Sequence, residues 1–207
     1  MIKVSKQDQH NATGPRILVL DYLDNLKSIV ATAKVTGEYA ATLEDGLQQF
    51  IERAVHANHN GHKVIFIGNG GSAGICSHMA TDYSKNGGIR SLAFNDGAVL
   101  TCLSNDYGFE HVFAKQIEWH ANAGDIVVAI SSSGRSINIL NAAAVAKEVG
   151  CTLVTLSGFR ADNPLRGMGH INFYLDTSEY GFVEVGHLTL LHAALDLRTQ
   201  FNETNAQ

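Results

Sequence analysis

Val64-Ile65-Phe66-Ile67-Gly68-Asn69-Gly70-Gly71-Ser72 decides the fold. An unbroken apolar run ends in a glycine-rich turn, and the turn opens a stretch long enough for a helix, Ser72–Lys85. Four more short apolar runs follow: Ser91–Asn95, Ile126–Ser131, Leu153–Ser157 and Ile171–Asp176. Most are continuous rather than alternating, which is the pattern of strands covered on both faces of a parallel sheet. Phe109–His120 and Ser136–Val149 supply further helix-length connections. Strand, helix, strand in succession predicts a doubly wound α/β sheet.

Outward from this core, apolar residues at helical spacing (Leu18, Tyr22, Leu23, Leu26, Ile29, Val30) predict a helix over Leu18–Thr32. A second is expected over Tyr39–Asn58, with Leu43, Leu47, Ile51 and Ala54 on one face, and a last one over Val183–Phe201. The apolar faces of the two leading helices need a partner, either the main domain or another subunit. The organisation read from this is a polar arm, 1–16, two N-terminal helices used for assembly, 17–60, and an α/β domain, 61–201.

A chain of 207 residues suits one domain with helical additions. Its net charge of −5 lacks the basic footprint of a nucleic-acid binder. No apolar run is long enough to span a bilayer, and Met1–Gly14 has no apolar signal-peptide core. Three widely spaced cysteines, Cys76, Cys102 and Cys151, fit a reducing, cytoplasmic setting, each read as a small buried hydrophobe.

Two loops carry a possible ligand site. In Gly68-Asn69-Gly70-Gly71-Ser72 the glycines allow close backbone approach, and a helix start offers unpaired N–H groups to an anion. A tight strand-to-helix turn with no ligand is the plain alternative. With Ala73 in sixth place the run fits only the looser dinucleotide fingerprint. No acidic residue closes Ser91–Asn95, so a dinucleotide is not expected. Ser131-Ser132-Ser133-Gly134-Arg135-Ser136 is the second loop. Serine is a favoured N-cap, but four hydroxyls in six residues exceed what capping requires. Both loops follow strands, so they can form one joint site for a phosphate ester at the carboxyl end of the sheet.

These motifs identify a resemblance. Residues 63–200 resemble a SIS (sugar isomerase) domain, closest to the phosphoheptose isomerases. Gly68–Ser72, Ser104-Asn105-Asp106-Tyr107-Gly108-Phe109 and Ile130–Gly134 match that pattern. The resemblance implies a flavodoxin-like five-stranded parallel sheet flanked by helices, and a homotetramer, with a dimer as the smaller option. It implies Ser131, Ser132, Ser133 and Ser136 on the substrate phosphate, and Asn69, Ser72 and Asp106 near the sugar. Gly70, Gly71 and Glu184 complete the expected substrate contacts.

A second constellation is His and carboxylate. His78 and Asp82 are four apart on one helix and therefore share a face. Glu184 and His192 are eight apart on the last helix, close to two full turns. Two such helices can offer a four-coordinate N and O set that zinc accepts. An ordinary hydrogen bond between His78 and Asp82 is the alternative. The resemblance implies His78, Asp82, Glu184 and His192 as zinc ligands, with Asp82 standing where the family has Glu and Glu184 where it has Gln. Asn86 stands where the family commonly has Arg. Arg135 either replaces that cation or faces solvent, and His187 is read as a packing or supporting residue.

The function that follows is aldose–ketose isomerisation of a sugar phosphate, sedoheptulose 7-phosphate first among them, through an enediol with metal assistance. Asp82 is expected to move the carbon proton and His192 the oxygen proton. Two other readings remain: a non-catalytic SIS scaffold that binds the replication initiator, and an isomerase or sensor for a different sugar phosphate. All four His and carboxylate positions are present, which favours the enzyme.

Overall fold

The computed structural model describes residues 18–204, with side chains to residue 198. The expected arm, 1–16, lies outside the described residues. All five expected strands form, as β2 (Val64–Gly68), β3 (Ser91–Ala93), β4 (Ile126–Ser131), β5 (Thr152–Ser157) and β6 (Ile171–Tyr174). A sixth, β1 (Lys34–Gly37), was not expected. It has four residues and only Val35 is buried, so it carries no readable periodicity. Its register comes from β6, where it pairs antiparallel with Val35 opposite Phe173.

The sheet order is β1-β6-β5-β4-β2-β3, and every pair except β1–β6 is parallel. Counting only the parallel strands in chain order, the sequence across the sheet is 2-1-3-4-5, the flavodoxin-like order. The order reverses between β2 and β4, and both phosphate-type loops leave the sheet there.

Among the described residues, seven α-helices cover the two faces: α1 (Val19–Ala31), α2 (Leu43–His59), α3 (Gly71–Lys85), α4 (Gly97–Tyr107), α5 (Val112–His120), α6 (Ile137–Val149) and α7 (Tyr180–Thr204). β2 shows how one strand feeds both layers. Val64 and Phe66 join the core under α2, α3 and α7, while Ile65 and Ile67 join the core under α5 and α6. Each such side chain contributes about 1.5–3 kcal/mol by leaving water. α2 starts at Thr42, whose side chain accepts from Asp45 N, and buries Leu47, Phe50, Ile51 and Ala54. α1 lies on α7 through Tyr22 stacked on Phe182, ring centroids 4.6 Å apart. It leaves Leu18, Val19, Leu20 and Leu23 exposed. No described helix is long and apolar enough to cross a membrane.

α4 was not foreseen, and it corrects one cysteine. Cys76 and Cys151 are buried, but Cys102 is exposed. It stands on a helix of which only Leu103 is buried. Its N-cap is Asp96, which accepts from Val99 N at 2.9 Å.

Candidate functional site

The first loop turns on Gly70, at φ +54°, where a side chain would be strained. The second turns on Gly134, at φ +61°, with the Asn163 amide packed where a Cβ would stand. The α3 N-cap is Gly70 and the α6 N-cap is Ser136, and neither makes a side-chain capping bond. Ser136 Oγ instead accepts from Ser131 Oγ at 3.2 Å. Both helices therefore begin without the usual side-chain partner for their first N–H groups, at the switch point of the sheet, as an anion site requires.

Between the loops lies a cavity of about 210 Å³. Asn69, Gly70, Gly71 and Ser72 form one wall, and Ser131, Ser132, Ser133 and Ser136 form the other. Tyr180 and Glu184 from α7 close it. The Glu184 carboxylate sits tight on the first loop: a Cβ added to Gly71 would lie 2.5 Å from it. Nine of the ten expected substrate contacts thus share one cavity. Asp106 is the exception. It sits near the end of α4 beside a groove with His111, Lys115 and Asn141, and accepts from Asn105 Nδ2 at 2.8 Å. The unforeseen helix carries it away from the loops within one chain.

Two residues were missed. Asn138, buried on the first turn of α6, exchanges both amide hydrogen bonds with Asn69, at 2.9 and 3.0 Å. This reciprocal pair locks one loop to the other. A polar residue between Ile137 and Ile139 at a helix start was the available signal. Tyr180 had none; it enters the site only because α7 begins three residues earlier than its apolar pattern indicates.

The α3–α7 interface holds the second constellation. His78 Nε2 lies 3.1 Å from His192 Nε2 and 3.5 Å from Asp82 Oδ2, and His192 Nδ1 lies 3.9 Å from the same oxygen. One ligand atom from each of the three falls within 4.8 Å of the others. Tyr83 donates to Leu191 O at 3.0 Å in the buried layer beneath, which fixes the register of the two helices beside the cluster. Two imidazoles and a carboxylate, partly open to solvent, fit a zinc ion held by three protein ligands with an open position.

Within one chain Glu184 is not part of that three-residue cluster. Eight residues of helix rise about 12 Å, so a shared face does not bring 184 and 192 together. It lines the loop cavity instead.

The remaining residues have structural places. His187 is fully buried, and its Nε2 donates to Ser157 O at 3.1 Å, leaving Nδ1 without a partner. Burial pushes its pKa down to about 4. It packs α7 against the carboxyl end of β5. Arg135 faces solvent and pairs with Asp162 at 3.4 Å. The Arg160 hydrogen bond, with both guanidiniums nearby, holds Asp162 at about 2. Asn86 is exposed at the end of α3.

A switch-point sheet, two uncapped helix starts ringed with hydroxyls, and a His–Asp–His cluster define an α/β protein suited to an anionic ester. The SIS domain family matches residues 22–158. A phosphoheptose isomerase from Geobacter sp. (strain M21) is 32% identical over 182 residues, covering 83% of this chain and 94% of that one. The one from Helicobacter hepaticus is 33% identical over 162 residues, covering 75% and 82%. Among solved structures, a phosphoheptose isomerase from Neisseria gonorrhoeae superposes with a TM-score of 0.75 at 28% identity, covering 86% and 96%. The one from Francisella tularensis gives 0.76 at 25%, covering 88% and 96%. The chain belongs to the SIS domain family, in its phosphoheptose isomerase branch.

Proposed function

We propose that this chain isomerises a sugar phosphate between ketose and aldose, with sedoheptulose 7-phosphate as substrate and D-glycero-D-manno-heptose 7-phosphate as product. The observation that carries this is the spacing of the two constellations along the same two helices. Ser72 and His78 are six residues apart on α3, and Glu184 and His192 are eight apart on α7. That separates the loop cavity from the His/Asp cluster by roughly 9–12 Å. An open-chain heptose with a terminal phosphate has its reacting carbons far from its phosphate, as this arrangement asks.

In this reading the serine hydroxyls and the first N–H groups of α3 and α6 hold the phosphate, which supplies positioning energy away from the reacting carbons. Glu184 and Asn69 meet the sugar hydroxyls between. Asp82 takes a proton from C1 of the ketose and returns it to C2. His192 moves the hydroxyl proton from O1 to O2, so that an enediol links the two sugars. His78, Asp82 and His192 would hold a zinc ion, which when bound supplies a Lewis acid for the oxyanion charge. The exposed apolar face of α1 (Leu18, Val19, Leu20, Leu23) supports burial in a homotetramer, and we place the protein in the cytoplasm.

Steady-state kinetics of Asp82→Asn and His192→Ala test the roles. Turnover of sedoheptulose 7-phosphate should fall by about 10²–10⁴ while phosphate-ester binding persists. Turnover retained in both variants would remove the assignment.

A further inference from the structure

At the end of the sheet opposite the serine loops lies a second polar cavity, of about 240 Å³. Arg53, His56 and Asn60 near the end of α2, His62 in the next loop, and Gly124 and Thr152 near the starts of β4 and β5 form its walls. The guanidinium of Arg53 lies 3.4 Å from the centroid of the Tyr39 ring, and Tyr39 stacks in turn on His170. Stacking occupies the face of the guanidinium and leaves its edge donors for another partner. Arg53 Nε is buried and has no acceptor, and no carboxylate among the described residues pairs with Arg53. A buried donor left unmade is costly, so this side chain fits a ligand that brings oxygen.

His56 offers a donor as well. Asn60 Nδ2 lies 3.1 Å from His56 Nε2. An amide nitrogen only donates, so Nε2 accepts and His56 Nδ1 carries the hydrogen. The carbonyls at the end of α2 are engaged: Asn60 Nδ2 donates to His56 O, and His62 N donates to Ala57 O. Asp125, whose Oδ1 is 3.7 Å from His62 Nδ1, is neutralised by Lys63 Nζ at 2.6 Å and also accepts from Asn122 N.

We propose that this cavity binds a small phosphate-type oxyanion, free phosphate or the phosphate of a monoester, with Arg53 as its anchor and His56 and His62 beside it. The site is distinct from the loop cavity. β4 and β5 run from one to the other, Ile126 to Ser131 and Thr152 to Ser157, a length of ~17 Å. The two can be filled together, and the proposal stands or falls independently of the isomerase reading.

The test is a titration of the full chain, labelled with ¹⁵N-arginine, at constant ionic strength. Inorganic phosphate and glycerol 3-phosphate are the two probes. The Arg53 Nε–Hε resonance is identified by its loss in Arg53→Lys. It should shift saturably, with the same midpoint when Ser132→Ala and Ser133→Ala disable the loop cavity. His56→Gln should weaken the response several-fold. A response to inorganic phosphate identifies a free-anion site, and a response to the monoester alone identifies an ester site. The proposal is overturned if the Arg53 signal drifts without saturating, moves no more than that of exposed Arg160, or stops responding in the loop variant.

Discussion

His78 Nε2 and His192 Nε2 face each other at 3.1 Å across two helices, with one oxygen of Asp82 close to both rings. Two ring nitrogens at this distance need a proton or a cation between them. A divalent ion satisfies all three side chains at once. Metal analysis of the purified protein should therefore find zinc, and His192→Ala should lower zinc affinity by more than about tenfold. Equal metal content in parent and variant would place the ion elsewhere.

The Asn69–Asn138 pair should be worth more than its size suggests. Asn138→Ala removes both hydrogen bonds and leaves the half-buried Asn69 amide facing the loop cavity, at a cost of about 0.5–1.5 kcal/mol. Chemical denaturation should show that loss, and calorimetry should show weaker phosphate-ester binding because the two loops are no longer tied. A variant with unchanged ester affinity would make the pair purely structural.

Glu184 is held against Gly71 so closely that a methyl group there must displace it. The displaced group is the end of a flexible side chain, so Gly71→Ala should fold with a melting temperature near the parent value. Its effect should appear in substrate handling, as a raised KM or a changed preference among sugar phosphates. Glu184→Gln, which removes the charge but keeps the shape, should bind the phosphate ester more tightly. Identical kinetics in both variants would exclude Glu184 from the substrate path.

His187 makes stability depend on pH. Burial holds its pKa at about 4 against an ordinary 6.5. Between these values the unfolded chain binds the extra proton and the folded chain does not, so stability is full above pH 6.5 and falls as pH drops toward 4. The loss totals on the order of 3 kcal/mol. His187→Gln, which keeps a donor for Ser157 O, should flatten the unfolding free energy across that window. The parent slope persisting in His187→Gln would assign the effect to other groups.

The parallel sheet was legible because its strands are buried on both faces and read as unbroken apolar runs. The loops were legible because two strand ends in one sheet carry a glycine-rich turn and four hydroxyls in six residues, more than capping requires. β1 was not, since an edge strand with one inward residue takes its register from its partner. α4 escaped because only Leu103 on it is buried, and that concealed where Asp106 and Cys102 would stand. In the site, a shared helix face brings His78 beside Asp82, while Glu184 and His192 share a face but stand about two turns apart. Periodicity gives the angle around a helix and says nothing of the 12 Å along it, by the rise of about 1.5 Å per residue. Asn138 and Tyr180 act through partners distant in sequence, which composition does not encode.

In the proposed reaction, groups on α3 and α7 move a proton between two carbons of an ester held by the serine loops. Incubating the zinc-loaded protein with sedoheptulose 7-phosphate in D₂O, followed by NMR, reads that transfer directly. The expected product is an aldose 7-phosphate that carries solvent deuterium at C2, with both its formation and the exchange slowed about 10²–10⁴-fold in Asp82→Asn. Unchanged ketose after prolonged incubation, or exchange at the parent rate by the Asp82 variant, would contradict the proposed reaction.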